Sequence, residues 1–441
     1  MSTPEFEKDP RPNPREVVTT KALTVWIAAL TVYVGAIFGR TSFGVAGVNA
    51  IERFQVDASA IAVFASIQIG TYALAQVPTG ILIDRYGPRK MLVIGAIIMG
   101  AGQLILGLTT SYGIAIGARV LIGAGDATAF LSVMRLLPFW FPLHRTPMFT
   151  QVTSSLGQLG QFISALPFAM LLGWGGWTMA FVTLGAVGIL IAVAAAVAIA
   201  DSPESLGIVP KSKEKPNAKP ESLGSLLSQV FRSPVAWQAF FIHWVGLAAT
   251  NVFVMLWGIP MMTAGMGFSK TSAGWLLTWF TVCMVLVGPV HGRLSSRARG
   301  FRLWLALGFV AIHCVVWFLF FLFGGSYFSL IILISVVSLC TPVANYGFDI
   351  VRENLDRRVV ATATGLGNMG GFIATVIGAQ LVGVVLDHLG NGPDYPFHDF
   401  RLAAWAVFGV WCTGIMGVLI THILRSRGEG EGPHARIVQV S

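Results

Sequence analysis

Twelve apolar runs, at residues 22–48, 58–83, 91–108, 112–138, 146–172, 177–200, 235–262, 272–291, 303–323, 327–350, 359–386 and 402–424, are each long enough to cross a bilayer as a helix. Nothing else in the sequence restricts the fold as much. Backbone inside hydrocarbon has to satisfy its own hydrogen bonds, so these runs predict an all-α membrane protein with 12 transmembrane helices. Hydrophobic residues make up 55% of the 441 and charged residues 11%, more apolar than a soluble core requires. The net charge of +9 would suit a nucleic-acid binder, but the basic residues gather in alternate loops, which is a membrane-orientation pattern. No nucleic-acid partner is expected. Cys283, Cys314, Cys340 and Cys412 all fall inside apolar runs, arguing against a disulfide framework. His243 and His313 have no ligand-spaced partner, so neither a metal nor a cofactor is expected. An enzyme is not indicated either: no phosphate-binding GxxxxGK[ST] loop is present, and no nucleophile, base and orienting group recur at workable spacing.

An even number of crossings puts both termini on one side. Lys8, Arg11, Arg15 and Lys21 before the first run, the Arg85 and Arg145 loops, the 211–232 stretch, the 293–302 and 352–358 loops and the C-terminal tail hold most of the lysine and arginine. The opposite loops hold little beyond Arg53, Lys270 and Arg401. Both termini are therefore expected to be cytoplasmic, in a multi-pass protein of the cell (plasma or inner) membrane. The first 21 residues are polar and lack the apolar region of a signal peptide, so the first run itself is expected to direct insertion.

The long polar insertion at 201–234 contains KSKEKPNAKPES, which cannot bury apolar surface and reads as a linker. It divides the chain into an N-terminal tail (1–21), a six-helix bundle (22–200), the linker (201–234), a second six-helix bundle (235–424) and a C-terminal tail (425–441). SLGSLLSQVF at 222–231 reads as a short amphipathic helix. The two halves repeat each other. SSLGQLGQFIS at 154–164 aligns without gaps to TGLGNMGGFIA at 364–374, and GILIDR at 80–85 to GRLSSR at 292–297, so the bundles are expected to be pseudo-symmetric.

The loop between the second and third runs reads GILIDRYGPRK. Gly80 allows close helix approach, and Gly87 with Pro88 forces a turn and starts the next helix. Asp84 suits a helix N-terminus, while Arg85, Arg89 and Lys90 hold this face in the cytoplasm. The loop resembles that between helices 2 and 3 of the major facilitator superfamily, Gly-x-x-x-Asp-Arg-x-Gly-x-Arg-Lys, with every specified position filled. The resemblance implies a transporter of two rocking halves, with Gly80, Asp84, Arg85, Gly87, Arg89 and Lys90 as a conformational latch. It also implies that every third helix is peripheral. The third, sixth, ninth and twelfth runs have only Gln103 and His313 as conspicuous polar residues, as lipid-facing helices would.

Ionisable groups deep in such runs are functional candidates because burying them is costly. Arg40 carries a guanidinium that cannot be neutralised and whose fork matches a carboxylate or other oxyanion. Its place in FGRTSFGVA resembles the first helix of the anion:cation symporters, where the arginine contacts substrate. In the fourth run Arg119, Gly123 and Gly125 resemble the Arg-x-x-x-Gly-x-Gly motif tied to proton coupling, with Ile122 where a glutamine is usual. Asp126, seven residues beyond Arg119, shares its helix face about 10 Å along the axis. Two roles stay open for it: a proton carrier, or an ionised partner of Arg40, Arg119 or both.

The remaining polar candidates for a substrate cavity are Gln68, Tyr72, Gln158, Gln161, Asn251, Asn345 and Asn368. Ser154, Gln158 and Gln161 follow i, i+4, i+7 and share one face of the fifth run, as Thr364, Asn368 and Gly371 do in the eleventh. These glycine-rich runs also resemble those of nitrate/nitrite porters, without the full glycine–asparagine signature. Asp349 is placed to pair with Arg352 near the cytoplasm, and Trp174, Trp177 and Trp257 fit interfacial positions. The reading is a monomeric secondary transporter working by alternating access, taking up a small organic anion with protons through Asp126 and Arg119. The alternatives are proton-driven efflux of drugs or metabolites and a non-transporting membrane sensor.

Overall fold

The structure, a computed structural model, describes residues 12–56, 58–210, 222–389 and 395–431. Lys8, Arg11, the 211–221 part of the linker and the tail beyond 431 lie outside the described residues. Among those described there is no strand. Ten helical segments are long and apolar enough to cross a membrane. One of them, Thr146–Ala198, runs for 53 residues. At 1.5 Å per residue that is roughly 80 Å of helix against about 30 Å of hydrocarbon, so it makes two crossings. The break is at Gly176, whose φ of 69° and ψ of −176° leave the helical region. A side chain there would meet nothing, so glycine serves the backbone and not the packing. Ala58–Tyr86, a further 29-residue helix, completes twelve.

In order, spans 1 to 6 are Thr20–Val45, Ala58–Tyr86, Pro88–Leu108, Tyr112–Trp140 and the two parts of Thr146–Ala198 divided at Gly176. Spans 7 to 12 are Pro234–Gly265, Lys270–Arg297, Arg299–Phe323, Tyr327–Asn354, Arg357–Leu389 and Phe397–Arg427. The amphipathic stretch read at 222–231 forms the helix Leu223–Phe231.

Two compact units are present. The first takes in the described residues up to Thr71, Leu82–Phe149 and Leu159–Leu223; the second takes in Tyr72–Ile81, Thr150–Gln158 and the described residues from Gly224 onward. Parts of spans 2 and 5 thus pack with the later spans.

In the first unit the turn between spans 2 and 3 is tied to the end of span 6. Gly87 adopts φ 90° and Pro88 opens span 3. The first-turn N–H of Arg89 donates to the Asp201 carboxylate at 2.7 Å, and the Arg89 guanidinium donates to the Ala196 carbonyl at 2.6 and 3.1 Å. A carboxylate thus caps the N-terminus of one helix while an arginine caps the C-terminus of the other. The sequence suggested Asp84 for such a cap; Asp201, 112 residues beyond Arg89, is the residue that provides it. Trp177, read as interfacial, is buried, and its Nε1 donates to the Leu106 carbonyl at 2.9 Å.

In the second unit spans 7 and 12 are stapled reciprocally: Trp244 Nε1 donates to the Val410 carbonyl and Trp411 Nε1 to the Val245 carbonyl, both at 2.8 Å. Each indole meets the carbonyl beside the other. Burial does not sort spans 3, 6, 9 and 12 from the rest. Span 8 is the least buried of the ten candidate segments, with Trp275, Trp279 and Leu286 exposed. Exposure alone does not separate a helix that meets lipid from one that meets water.

Removing the cap at the start of span 3 with Asp201→Ala is expected to lower stability by about 1 kcal/mol. Thermal unfolding of the detergent-purified protein checks this; an unchanged midpoint would mean that solvent satisfies the Arg89 N–H equally well.

Candidate functional site

Span 1 carries Arg40 and span 4 carries Asp126, and the first unit brings them together. Arg40 Nε donates to Asp126 Oδ2 at 2.6 Å and Nη2 to Oδ1 at 2.9 Å. The carboxylate side chain is 0% exposed and that of the arginine 18%. Two parallel charge-assisted bonds make this a bidentate pair, which fixes both planes as well as the distance. Asp126 is thus in contact with Arg40, one of the two arginines the sequence offered it.

Arg119 is held differently. Its Nε points at the Phe64 carbonyl at 3.4 Å, a weak contact, and its guanidinium carbon lies 4.4 Å from the centroid of the Phe43 ring. Its Nη1 is buried without a hydrogen-bond partner. Gln68, one turn after Phe64, is 1% exposed, and neither its amide nitrogen nor its oxygen has a partner. The Gln68 carbonyl lies so near Gly123 that a Cβ there would come within 2.7 Å, placing spans 2 and 4 in backbone contact at this level. A paired Arg40, a half-satisfied Arg119 and an unsatisfied Gln68 therefore occupy neighbouring helices of one unit. Buried donors without partners are costly, and a polar ligand would supply what they lack.

The second unit gathers other sequence candidates into two amide clusters. The Asn368 side-chain nitrogen donates to the Tyr72 hydroxyl at 3.0 Å and to Gln76 Oε1 at 2.9 Å. Tyr72 also packs edge-on against Phe372. The Asn345 nitrogen donates to Gln151 Oε1 and to Ser154 Oγ, both at 3.0 Å, and Gln151 in turn donates to the Pro342 carbonyl at 2.9 Å. Asn251 stands apart from these, donating to Thr375 Oγ1 at 3.2 Å. These bonds join residues from both sequence halves inside one unit.

Span 5, which carries Ser154, Gln158 and Gln161, is interrupted at Gln158. The helix Thr146–Gly157 ends before Gln158 and resumes at Leu159, and the stretch Ser164–Phe168 is a π turn containing Pro167. Pro167 lies in the later π turn, and Gly157 and Gly160 flank the interruption at Gln158. Beyond it, Ser164 bridges the Gln161 carbonyl at 2.7 Å and the Thr41 hydroxyl at 2.8 Å, next to Arg40 in sequence.

Around the 80–90 loop, Asp84 accepts from Arg135 Nε at 3.1 Å. A Cβ on Gly80 would lie 2.6 Å from the Cα of Thr362, so the backbones of spans 2 and 11 meet at that glycine within the second unit. Arg85 lies over Tyr86, and Lys90 is exposed. On the later spans Asp349 pairs with Arg352 at 2.8 Å and accepts from Ser295 Oγ at 2.6 Å, while Arg352 also reaches Thr150 Oγ1 at 3.0 Å. Arg135, Gln151, Ser295 and Asp201 were not singled out from sequence. Arg135 had a readable signal, being a cation near the end of an apolar run; the others are ordinary polar residues until their partners are known.

Breaking the buried pair from one side leaves a naked charge. Arg40→Ala and Asp126→Asn are each expected to cost about 3–5 kcal/mol, and the double variant clearly less than the sum. Unfolding midpoints of all four proteins measure this coupling, and additive losses would show that the pair is not a unit.

The Major Facilitator Superfamily profile matches residues 29–379. A probable sulfoacetate transporter, SauU, of Cupriavidus necator is 23% identical, covering 96% of this chain and 99% of that protein. A putative tartrate transporter of Agrobacterium vitis is 22% identical over 82% of this chain and 86% of its own length. A probable galactarate/D-glucarate transporter, GarP, of Escherichia coli is 20% identical over 86% and 89%. Among solved structures, a variant of the Escherichia coli fucose:proton symporter FucP superposes with a TM-score of 0.62 at 15% identity, covering 88% of this chain and 99% of that one.

Proposed function

The chain belongs to the Major Facilitator Superfamily, and from that premise we propose that it takes up a small organic anion bearing two acidic groups, together with protons, by alternating access. That it is a multi-pass membrane transporter, not an enzyme, follows from the family. The observation that carries the finer reading is the bidentate Arg40–Asp126 pair beside the unpartnered groups of Arg119 and Gln68.

In this cycle a substrate carboxylate takes the Nε–Nη2 edge of Arg40 by replacing Asp126. The displaced carboxylate, buried and without its cation, is stabilised by gaining a proton, so anion and proton occupancy rise together. The second acidic group of the substrate finds the Arg119 Nη1–H and the Gln68 amide. Sulfoacetate, tartrate and glucarate, named for the relatives, each carry two acidic groups, which supports the class. The bilayer supplies the surroundings, and the lysine and arginine bias of the loops puts both termini in the cytoplasm of the cell membrane. Within this cycle the residues of the 80–90 loop act as the latch, with Asp84 held by Arg135 and Gly80 seated on Thr362. The amide clusters of Asn345 and Asn368 break and re-form as the two halves, 22–200 and 235–424, rock.

Thermal-shift titration with short monocarboxylates, short dicarboxylates and a cationic drug tests the substrate class. A dianion at a hundredfold its Kd is expected to stabilise the parent by about 2.7 kcal/mol. Arg40→Ala abolishes the effect, and Gln68→Leu reduces the preference for dianions about tenfold, the worth of roughly 1.4 kcal/mol. Stabilisation by the cation alone would turn the reading to efflux.

Proteoliposome uptake tests the coupling. Asp126→Asn is expected to retain anion exchange but lose accumulation driven by a pH gradient. Accumulation that survives the substitution would move proton coupling to another residue.

A further inference from the structure

Within the second unit, spans 7, 9, 11 and 12 enclose a cavity of about 50 Å³ that shares no residue with the candidate site. Its walls include Phe253, Trp257 and Met261 of span 7, Trp317 of span 9, Val382 of span 11 and Trp411 of span 12. The three span 7 residues sit on two π turns, Phe253–Trp257 and Met261–Gly265. Such turns interrupt a helix at a cost and tend to mark functional places. Two of the three indoles are satisfied within the protein: Trp257 Nε1 donates to the Ala379 carbonyl at 3.0 Å and Trp411 Nε1 to the Val245 carbonyl at 2.8 Å. Trp317 Nε1, on a side chain in a residue only 5% exposed, has no acceptor. An apolar cavity lined by a tryptophan whose donor is unused suits a hydrocarbon chain that carries a hydrogen-bond acceptor at its end.

The mouth shows which medium reaches the cavity. Phe408, also in its wall, touches Trp405 at 5.7 Å and Phe318 at 6.3 Å between ring centroids, and both of those rings are exposed on the apolar outer faces of spans 12 and 9. With His313 the only conspicuous polar residue in the two runs that form them, these faces suit bilayer lipid. Met261 and Phe400 stand in terminal turns and Trp317 within two turns of a span end, all at the ends remote from the arginine-rich 293–302 loop. That region is close to the hydrocarbon boundary, where lipid ester carbonyls lie.

We propose that the cavity holds the upper part of one acyl chain of a bilayer glycerophospholipid, whose ester carbonyl accepts the Trp317 indole N–H. The full-length protein, delipidated in detergent and titrated with dioleoylphosphatidylcholine, is weighed by native mass spectrometry and melted with and without the lipid. One tightly retained phospholipid and a raised midpoint are expected for the parent. Ala404→Leu fills the cavity and loses both. Trp317→Phe keeps a ring but not the donor and binds about fivefold more weakly, the effect of one net hydrogen bond. Both variants are expected to elute and, without lipid, to melt near the parent. Retention equal to the parent in both variants, a retained mass that is a fatty acid or detergent, or no retained lipid on the parent would each overturn the assignment.

Discussion

A guanidinium that stays charged inside a membrane protein needs a counter-ion, backbone carbonyls or water around it. In this chain the resting anion is Asp126, held by two bonds in a plane. The pair is not chiefly a device for stability, since a buried ion pair roughly offsets its own desolvation. In the proposed cycle its consequence is selectivity: a group that replaces Asp126 there would be an anion with two oxygens in one plane. The proposed preference for a carboxylate and the proposed coupling to a proton both rest on that one geometry. The surroundings are consistent with it, because Arg119 and Gln68 on the adjoining helices keep hydrogen-bonding capacity that the protein does not use.

The amide clusters are built on a different principle. Asn345 and Asn368 each give both hydrogens of one nitrogen to two acceptors, on Gln151 and Ser154 in one case and on Tyr72 and Gln76 in the other. Neutral bonds of this kind contribute about 1 kcal/mol each, far less than separating a buried charge pair costs. Groups that part and rejoin, as the proposed cycle has them do, are better served by such bonds. The same residue types read from sequence as substrate ligands thus have a second occupation, and the distinction lies in whether their partners stay within the protein.

What was legible in the sequence was whatever depends on one helix at a time. The twelve runs, the turn at Gly87 and Pro88, the short helix near 223 and the candidacy of Arg40 and Asp126 all follow from local pattern. Periodicity states which face a residue occupies, but not which helix comes to meet it. Hence Asp201 as the cap for Arg89 and Tyr72 as the partner of Asn368, 296 residues away, were out of reach. So was the burial of Trp177, because an indole at the end of an apolar run looks the same whether its N–H meets water or the Leu106 carbonyl. The π turn of the fifth span was out of reach for a related reason: Pro167 allows such a turn without requiring one, and packing decides.

The repeat shows how a duplicated element can keep its mechanics while changing its chemistry. In the first copy the carboxylate stands on the end of span 2, as Asp84, and the arginine on span 4, as Arg135. In the second copy GRLSSR has Ser296 where Asp84 would be, and the carboxylate stands instead on span 10, the counterpart of span 4, as Asp349 beside its arginine Arg352. The tie to the neighbouring helix survives because Ser295 donates to Asp349 at 2.6 Å. A hydroxyl to a fully paired carboxylate is a weaker tether than an ion pair, and Arg352 is left with a further donor that reaches Thr150. The first copy therefore fastens two helices of its own unit by charge, whereas the second uses its charge to orient an arginine toward a segment of the other sequence half. A degenerate motif that reads as loss from the sequence is, in the fold, a transfer of the same carboxylate to the helix where its arginine can serve a second contact.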